Sequence, residues 1–132
     1  MTGFPLKIVT PDGLEFDGIA EQLIVRTITG DMGIMAKHAD CVAPLGMGEA
    51  TVVIDGQRRR AACIGGMVSV INGVVNLVPT TFEWAENIDV ARAEASEKRA
   101  QAILSNKNAS DTEIKLARAR MKRALVRMNV RK

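Results

Sequence analysis

Short apolar, β-rich runs alternate with polar turn residues through most of residues 1 to 85, the signature of short strands joined by tight turns. The runs LKIVTPDGLEF (residues 6–16), QLIVRTI (22–28), TVVIDGQRRRAACI (51–64) and MVSVINGVVNLV (67–78) carry it, and β-branched residues fill them. Each long run is broken by turn chemistry: Pro11-Asp12-Gly13 in the first, Asp55-Gly56 and Asn72-Gly73 in the others. Asp-Gly and Asn-Gly tolerate the positive φ angles of two-residue hairpins. Several short strands at this spacing predict a small β-sandwich or barrel.

After residue 85 the apolar spacing lengthens to three and four. At about 100° per residue, Ile114, Ala117, Met121, Ala124, Leu125 and Met128 form one stripe that predicts a buried helical face. In the preceding helical stretch, which opens NIDVARAEASEKRA (87–100), Ala91, Ala95 and Ala102 line a small-residue strip suited to close helix approach. Asn87 is placed to cap that helix, with Asp89 in its first turn answering the dipole. Ser110 and Glu113 have the spacing of a capping box for a second helix. The short stretch SNKNASDTE between the helices predicts an antiparallel hairpin. All 11 glycines and all 4 prolines lie at or before Pro79, which marks the same change of architecture. The fold class is therefore α+β: a β-sandwich over residues 1–85, then an antiparallel two-helix hairpin over residues 86–132.

Composition sharpens the division. A chain of 132 residues, 47% hydrophobic and 25% charged, has material for one good core and a smaller appendage. Its net charge of +3 conceals an acidic body, with six basic and nine acidic side chains to residue 85, and a basic remainder, with twelve and six. From Lys115 onward there are eight basic residues and no acid. No apolar run approaches the roughly 20 residues of a membrane span, and MTGFPLKIV lacks the apolar centre of a secretion signal. Those features predict a cytosolic chain in which Cys41 and Cys63 stay as buried free thiols.

Candidate catalytic chemistry is thin. His38 is the only histidine. It lies near Cys41 in KHADC without a supporting third group, so neither a catalytic thiol nor a metal site is expected. IGGMVSV (64–70) lacks the lysine and hydroxyl residue of a phosphate loop. The expectation is a protein with no catalytic residues and no activity alone.

The helical faces carry more. Asp89, Arg92, Ser96 and Arg99 project within about a quarter of the helix circumference, and Arg120, Arg123, Arg127 and Arg131 form a stripe beside the apolar face of the second helix. If the hairpin closes, Arg92 and Arg99 face Arg123 and Arg127 across a narrow seam. Guanidinium forks crowded in this way suit an anion with several oxygens, which points to a polyphosphate clamp. The plain alternative pairs Asp89 with Arg92 along the helix and leaves the other arginines to solvent or a protein partner. Spacing alone leaves both open. Nucleic acid is a further alternative for so basic a tail, weakened by the three phenylalanines, single tryptophan and absent tyrosine that leave few stacking platforms.

Taken in order, LKIVTPDG, FDGIAEQLIVRTITGDMGIMAKHADCVAPL, IGGMVSVINGVVNLV and IDVARA resemble the epsilon subunits of bacterial F-type ATP synthases over essentially the whole chain. The resemblance implies a non-catalytic rotor subunit. Its sandwich docks on the gamma subunit and the ring of c subunits, coupling proton flow to rotation, and nucleic acid is not a partner. It implies helices that lie folded or extend into the alpha/beta catalytic hexamer, where they block ATP hydrolysis. The location implied is peripheral to the cell membrane, on its cytoplasmic side, through the complex. Gly30-Asp31-Met32-Gly33, expected at a hairpin tip, makes Asp31 and Met32 the candidates for ring contact, and His38 is taken as structural. Some members hold ATP in the folded hairpin through an Ile/Leu-Asp-x-x-Arg-Ala motif, met here by Ile88, Asp89, Arg92 and Ala93; matching positions add Glu83, Arg99, Arg123 and Arg127. Asp89 or Glu83 would accept from the adenine amino group and the arginines would meet phosphates, with ATP as a regulatory ligand and magnesium left open.

Overall fold

The computed structural model describes residues 2–132 and divides the chain into two compact units, Met1–Ala85 and Glu86–Lys132. The first unit holds ten strands: β1 (Phe4–Thr10), β2 (Gly13–Ala20), β3 (Gln22–Thr27), β4 (Gly30–Ile34), β5 (Cys41–Pro44), β6 (Met47–Ile54), β7 (Gln57–Ile64), β8 (Met67–Ile71), β9 (Val74–Val78) and β10 (Thr81–Trp84). They form two five-stranded sheets, ordered β2-β1-β9-β8-β5 and β10-β7-β6-β3-β4. This is the sandwich that the alternating pattern predicts.

Strict alternation supplies the core. Phe4, Leu6 and Ile8 of β1 are buried, while Pro5 and Lys7 between them are exposed. Leu23 and Val25 of β3, Val52 of β6, Val68 and Val70 of β8, and Val75 and Leu77 of β9 meet them in one cluster, closed by Phe82 and Trp84 of β10. Removing a Leu6-sized side chain from such a centre costs roughly 2–5 kcal/mol, because the neighbours collapse only partly into the hole.

The turns follow the residues that permit them. Asp55 and Gly56 have φ of 51° and 74°, Asn72 and Gly73 of 51° and 79°, the left-handed pairs of tight hairpins. The crossing from β7 to β8 uses Gly65 and Gly66; a Cβ on Gly66 would stand 2.1 Å from the Val78 carbonyl oxygen, so only glycine fits there. Of the two free thiols, Cys63 is buried as expected, but Cys41 is only half-buried, because it lies on an edge strand.

The second unit holds α1 (Val90–Leu104) and α2 (Asp111–Arg131), which pack on each other. Six connecting residues span at most about 20 Å, less than the roughly 22 Å of α1 that a parallel return would have to retrace, so the second helix folds back along the first. Ser110 caps α2 as predicted: its hydroxyl accepts from the Glu113 N–H, and the Glu113 carboxylate accepts from the Ser110 N–H, each at 3.1 Å. The start of α1 differs from expectation. Asn87 closes a single 3-10 turn, Ala85–Asn87, and Asp89 is the cap, accepting from the Arg92 N–H at 3.0 Å. A carboxylate satisfies an orphan N–H and also answers the helix dipole, which an amide does not.

The seam between the helices is likewise made by other alanines than those expected. Ala93, Ala100, Ala117 and Ala124 are buried, whereas Ala91, Ala95 and Ala102 are exposed. Two residues along a helix turn the side chain by about 200°, so a seam through Ala93 and Ala100 sends Ala91, Ala95 and Ala102 outward. On α2, Leu125 is exposed rather than buried, and Val130 is buried in its stead.

Candidate functional site

The eight residues expected to hold a nucleotide divide between the units. Glu83 lies on β10, half-buried and paired in register with Ala62. The other seven lie in the hairpin: Ile88 and Ala93 are buried, Arg92 and Arg99 are exposed, Arg123 and Arg127 are half-buried, and Asp89 caps α1.

Helix geometry brings the arginines to one rim. Ala93 and Ala100 are seven residues apart, as are Ala117 and Ala124, so each pair lies along one line of its helix. In an antiparallel hairpin the first of one pair faces the second of the other, Ala93 towards Ala124 and Ala100 towards Ala117. Arg92, Arg99 and Arg123 each immediately precede a seam alanine, and residues one step before the seam on antiparallel helices fall on the same side of the pair. Arg127, three residues past Ala124, falls on that side too. Alanine at the seam keeps the backbones close, which narrows the distance between the two arginine rows.

One contact gives Asp89 a structural role. Its carboxylate oxygen accepts from the backbone N–H of Arg92, not from the guanidinium, so the helix start and not a local ion pair uses this oxygen. An open depression of about 430 Å³ elsewhere on the hairpin is lined by Asp111, Thr112, Ile114, Lys115 and Arg118 and includes none of the eight.

The ring-contact candidates also lie elsewhere than expected. Thr27 pairs with Gly30, so the hairpin tip is Ile28–Thr29, and Asp31 and Met32 lie in the returning strand β4. The Thr27 hydroxyl donates to the Gly30 carbonyl at 2.7 Å and accepts from the Thr29 N–H at 3.2 Å, which closes the turn two residues early. Asp31 is exposed and bridged to Arg26 Nε at 2.8 Å; Met32 packs against the core.

A surface that the sequence reading passed over is the outer face of the β2-β1-β9-β8-β5 sheet. Its registers build a row that begins at Val42 and continues through the polar Ser69, Asn76, Lys7 and Asp17, flanked by Pro44, Met67 and Val78 on one side and Ile71 with Val74 on the other. Pro5 opposite Ile19 and Val9 opposite Leu14 extend the apolar flanks towards β2. Ile19, Val42, Met67, Ile71, Val74 and Val78 are exposed by 43–61%. A solvated sheet face is ordinarily polar at these positions, and two exposed apolar flanks about a polar row mark an interface. The outward VxNxV positions of β9 and MxSxI positions of β8 were the available signal. In contrast, the outer face of the other sheet carries the ion pairs Arg26 with Asp31 and Arg60 with Glu49.

Residues 3–85 match the family described as ATP synthase, Delta/Epsilon chain, beta-sandwich domain, and residues 86–132 match its long alpha-helix domain. The chain belongs to the ATP synthase delta/epsilon family. It is 40% identical over 131 residues to the ATP synthase epsilon chain of Ruminococcus albus, covering 98% of this chain and 97% of that one. To the epsilon chain of Bacillus velezensis it is 41% identical over 125 residues, covering 95% and 94%. Among solved structures, a chain of the Euglena gracilis mitochondrial ATP synthase (OSCP/F1/c-ring) shares the fold with a TM-score of 0.81 at 20% identity, covering 92% of this chain and 77% of that one. As an epsilon-type member of the delta/epsilon family, the chain is a non-catalytic subunit of ATP synthase. No helix among the described residues is long and apolar enough to cross a membrane.

Proposed function

We propose that this delta/epsilon chain is a central-stalk subunit that couples proton translocation to rotation, and that its C-terminal helices restrain ATP hydrolysis. The sandwich docks on the gamma subunit and on the ring of c subunits, which holds the chain at the cytoplasmic side of the membrane without entering it. The observation that carries this reading is the apolar outer face around Met67, Ile71, Val74 and Val78, a surface of the kind that a permanent partner covers. Gamma is assigned to that face, and the β3–β4 hairpin with Asp31 to the ring.

The hairpin carries the regulation. Its basic helix α2 seeks acidic surface in the alpha/beta hexamer in one state and needs another counterion in the other. ATP supplies it: Arg92, Arg99, Arg123 and Arg127 meet the phosphates, Asp89 accepts from the adenine amino group, and Ile88 and Ala93 shape the motif around them. By binding the folded hairpin better than the extended one, ATP shifts the population towards the permissive state. Support comes from the common rim of the arginines and from the close seam of Ala93, Ala100, Ala117 and Ala124.

Two measurements test the proposal. In calorimetric titration of the isolated subunit with ATP, Arg92→Ala and Arg123→Ala each weaken binding, and unchanged affinity in both removes the nucleotide site. In the assembled complex, deleting residues 86–132 releases hydrolysis while coupling by the sandwich persists. A truncated complex that stays equally latent places inhibition elsewhere.

A further inference from the structure

We propose that Arg26 is a positioning residue: it holds the Asp31 carboxylate as a preformed acceptor for a hydrogen-bond donor on the ring, and Gly48 leaves the room for it to do so. The inference rests on the proposed contact between the β3–β4 hairpin and the ring.

Arg26 and Asp31 lie directly opposite each other on β3 and β4, with Arg26 Nε 2.8 Å from Asp31 Oδ1. Their side chains are 51% and 59% exposed, and an ion pair so open to water adds little to stability. The surroundings are nevertheless shaped for it. A Cβ on Gly48 would lie 2.6 Å from Arg26 Cβ and 3.0 Å from its Cγ. Glycine at this place leaves the room in which the root of Arg26 lies. The backbone is tied at the same point, with the Gly46 N–H donating to the Arg26 carbonyl at 2.9 Å and the Ile28 N–H to the Pro44 carbonyl at 3.2 Å. Beyond the pair the tip exposes Ile28 by 69%. The arrangement therefore offers an apolar knob beside a carboxylate whose direction is fixed before a partner arrives. Fixing a long side chain in advance lowers the ordering cost that association otherwise carries.

The test uses the complete complex reconstituted in vesicles, with ATP-driven proton pumping as the readout. Subunit melting temperature and retention on the gamma-containing sector serve as controls. Asp31→Ala lowers pumping at least twofold. Arg26→Gln and Gly48→Ala lower it to a similar level with the controls unmoved, Arg26→Lys restores most of it, and Arg26→Gln adds nothing to Asp31→Ala. If Gly48→Ala fails to fold, the Arg26 series decides alone. Normal pumping by Asp31→Ala removes the ring contact itself. A deficit in Asp31→Ala with none in Arg26→Gln, or with additive losses in the double variant, leaves the contact standing and overturns the positioning role.

Discussion

The guanidinium carbon of Arg59 lies 3.8 Å from the centroid of the Trp84 ring, so a cation covers the aromatic residue that ends β10. Trp84 also receives Phe82 edge-on at 4.9 Å and is the chain's single tryptophan. Replacing Arg59 by Met keeps much of the aliphatic cover and deletes the charge. The expected loss is about 0.5–2 kcal/mol of unfolding free energy, measured in urea with Trp84 fluorescence as the probe.

Two glycines with positive φ make different demands. Gly66 has φ of 92° and backbone where a Cβ would go, whereas Gly56 has φ of 74° and open space. Gly56→Ala therefore carries only the left-handed cost of roughly 1–2 kcal/mol. Gly66→Ala adds a clash with the Val78 carbonyl and costs clearly more, up to loss of the folded sandwich. Paired denaturation curves check the order.

The seam predicts a contrast on α1. Ala100 is fully buried and Ala95 exposed. Ala100→Leu forces the helices apart, costing about 1–3 kcal/mol, and lowers amide protection throughout the hairpin. Ala95→Leu leaves protection unchanged. Hydrogen exchange distinguishes this seam from one running through Ala91, Ala95 and Ala102.

Asp89 has one structural task that its proposed ligand role need not share. Asp89→Ala removes the cap and costs about 1 kcal/mol of hairpin stability. Asp89→Asn keeps an acceptor for the Arg92 N–H but loses the charge, so helicity by circular dichroism stays near that of the parent. Any fall in ATP affinity in that variant reports the ligand contact and not the helix start.

Burial pushes the Cys63 thiol from 9.0 up to about 12. A group whose folded value is raised favours folding fully below its unfolded value, and that contribution is lost as pH climbs from about 9 towards 12. Stability should thus decline across that alkaline window, and less so in Cys63→Ala after correction for the cavity. At pH 8, alkylation should modify Cys41 and spare Cys63 until the chain is denatured.

Much of this was legible in the residues. β-Branched runs between turn residues located the strands, Asp55-Gly56 and Asn72-Gly73 set their hairpins, and Ser110 with Glu113 set the start of α2, because each is a local rule acting on nearby residues. The seam was misplaced because a partner element decides it, the hairpin tip and the α1 cap because competing local hydrogen bonds do. Several alanine sets on α1 serve equally well as a seam, and only the angle at which α2 meets them selects Ala93 and Ala100. GDMG reads as a turn until the Thr27 hydroxyl closes the hairpin at Ile28–Thr29. At the candidate nucleotide site, Asp89, Arg92 and Arg99 were visible by angle, while the apolar outer face of the first sheet needed cross-strand registers between segments up to some seventy residues apart.

The parallel pairing of β1 with β9, Leu6 beside Val75 and Ile8 beside Leu77, also sets an order of events during synthesis. Strand β1 cannot take its place between β2 and β9 until nearly the whole sandwich has followed it. Closing so long a loop makes folding slow. The hairpin, whose contacts span a short connector, forms on a faster clock. For much of its early life the chain therefore depends on β1 being kept from other strand edges, and Pro5, which has no N–H to lend, is a guard placed where that exposure begins.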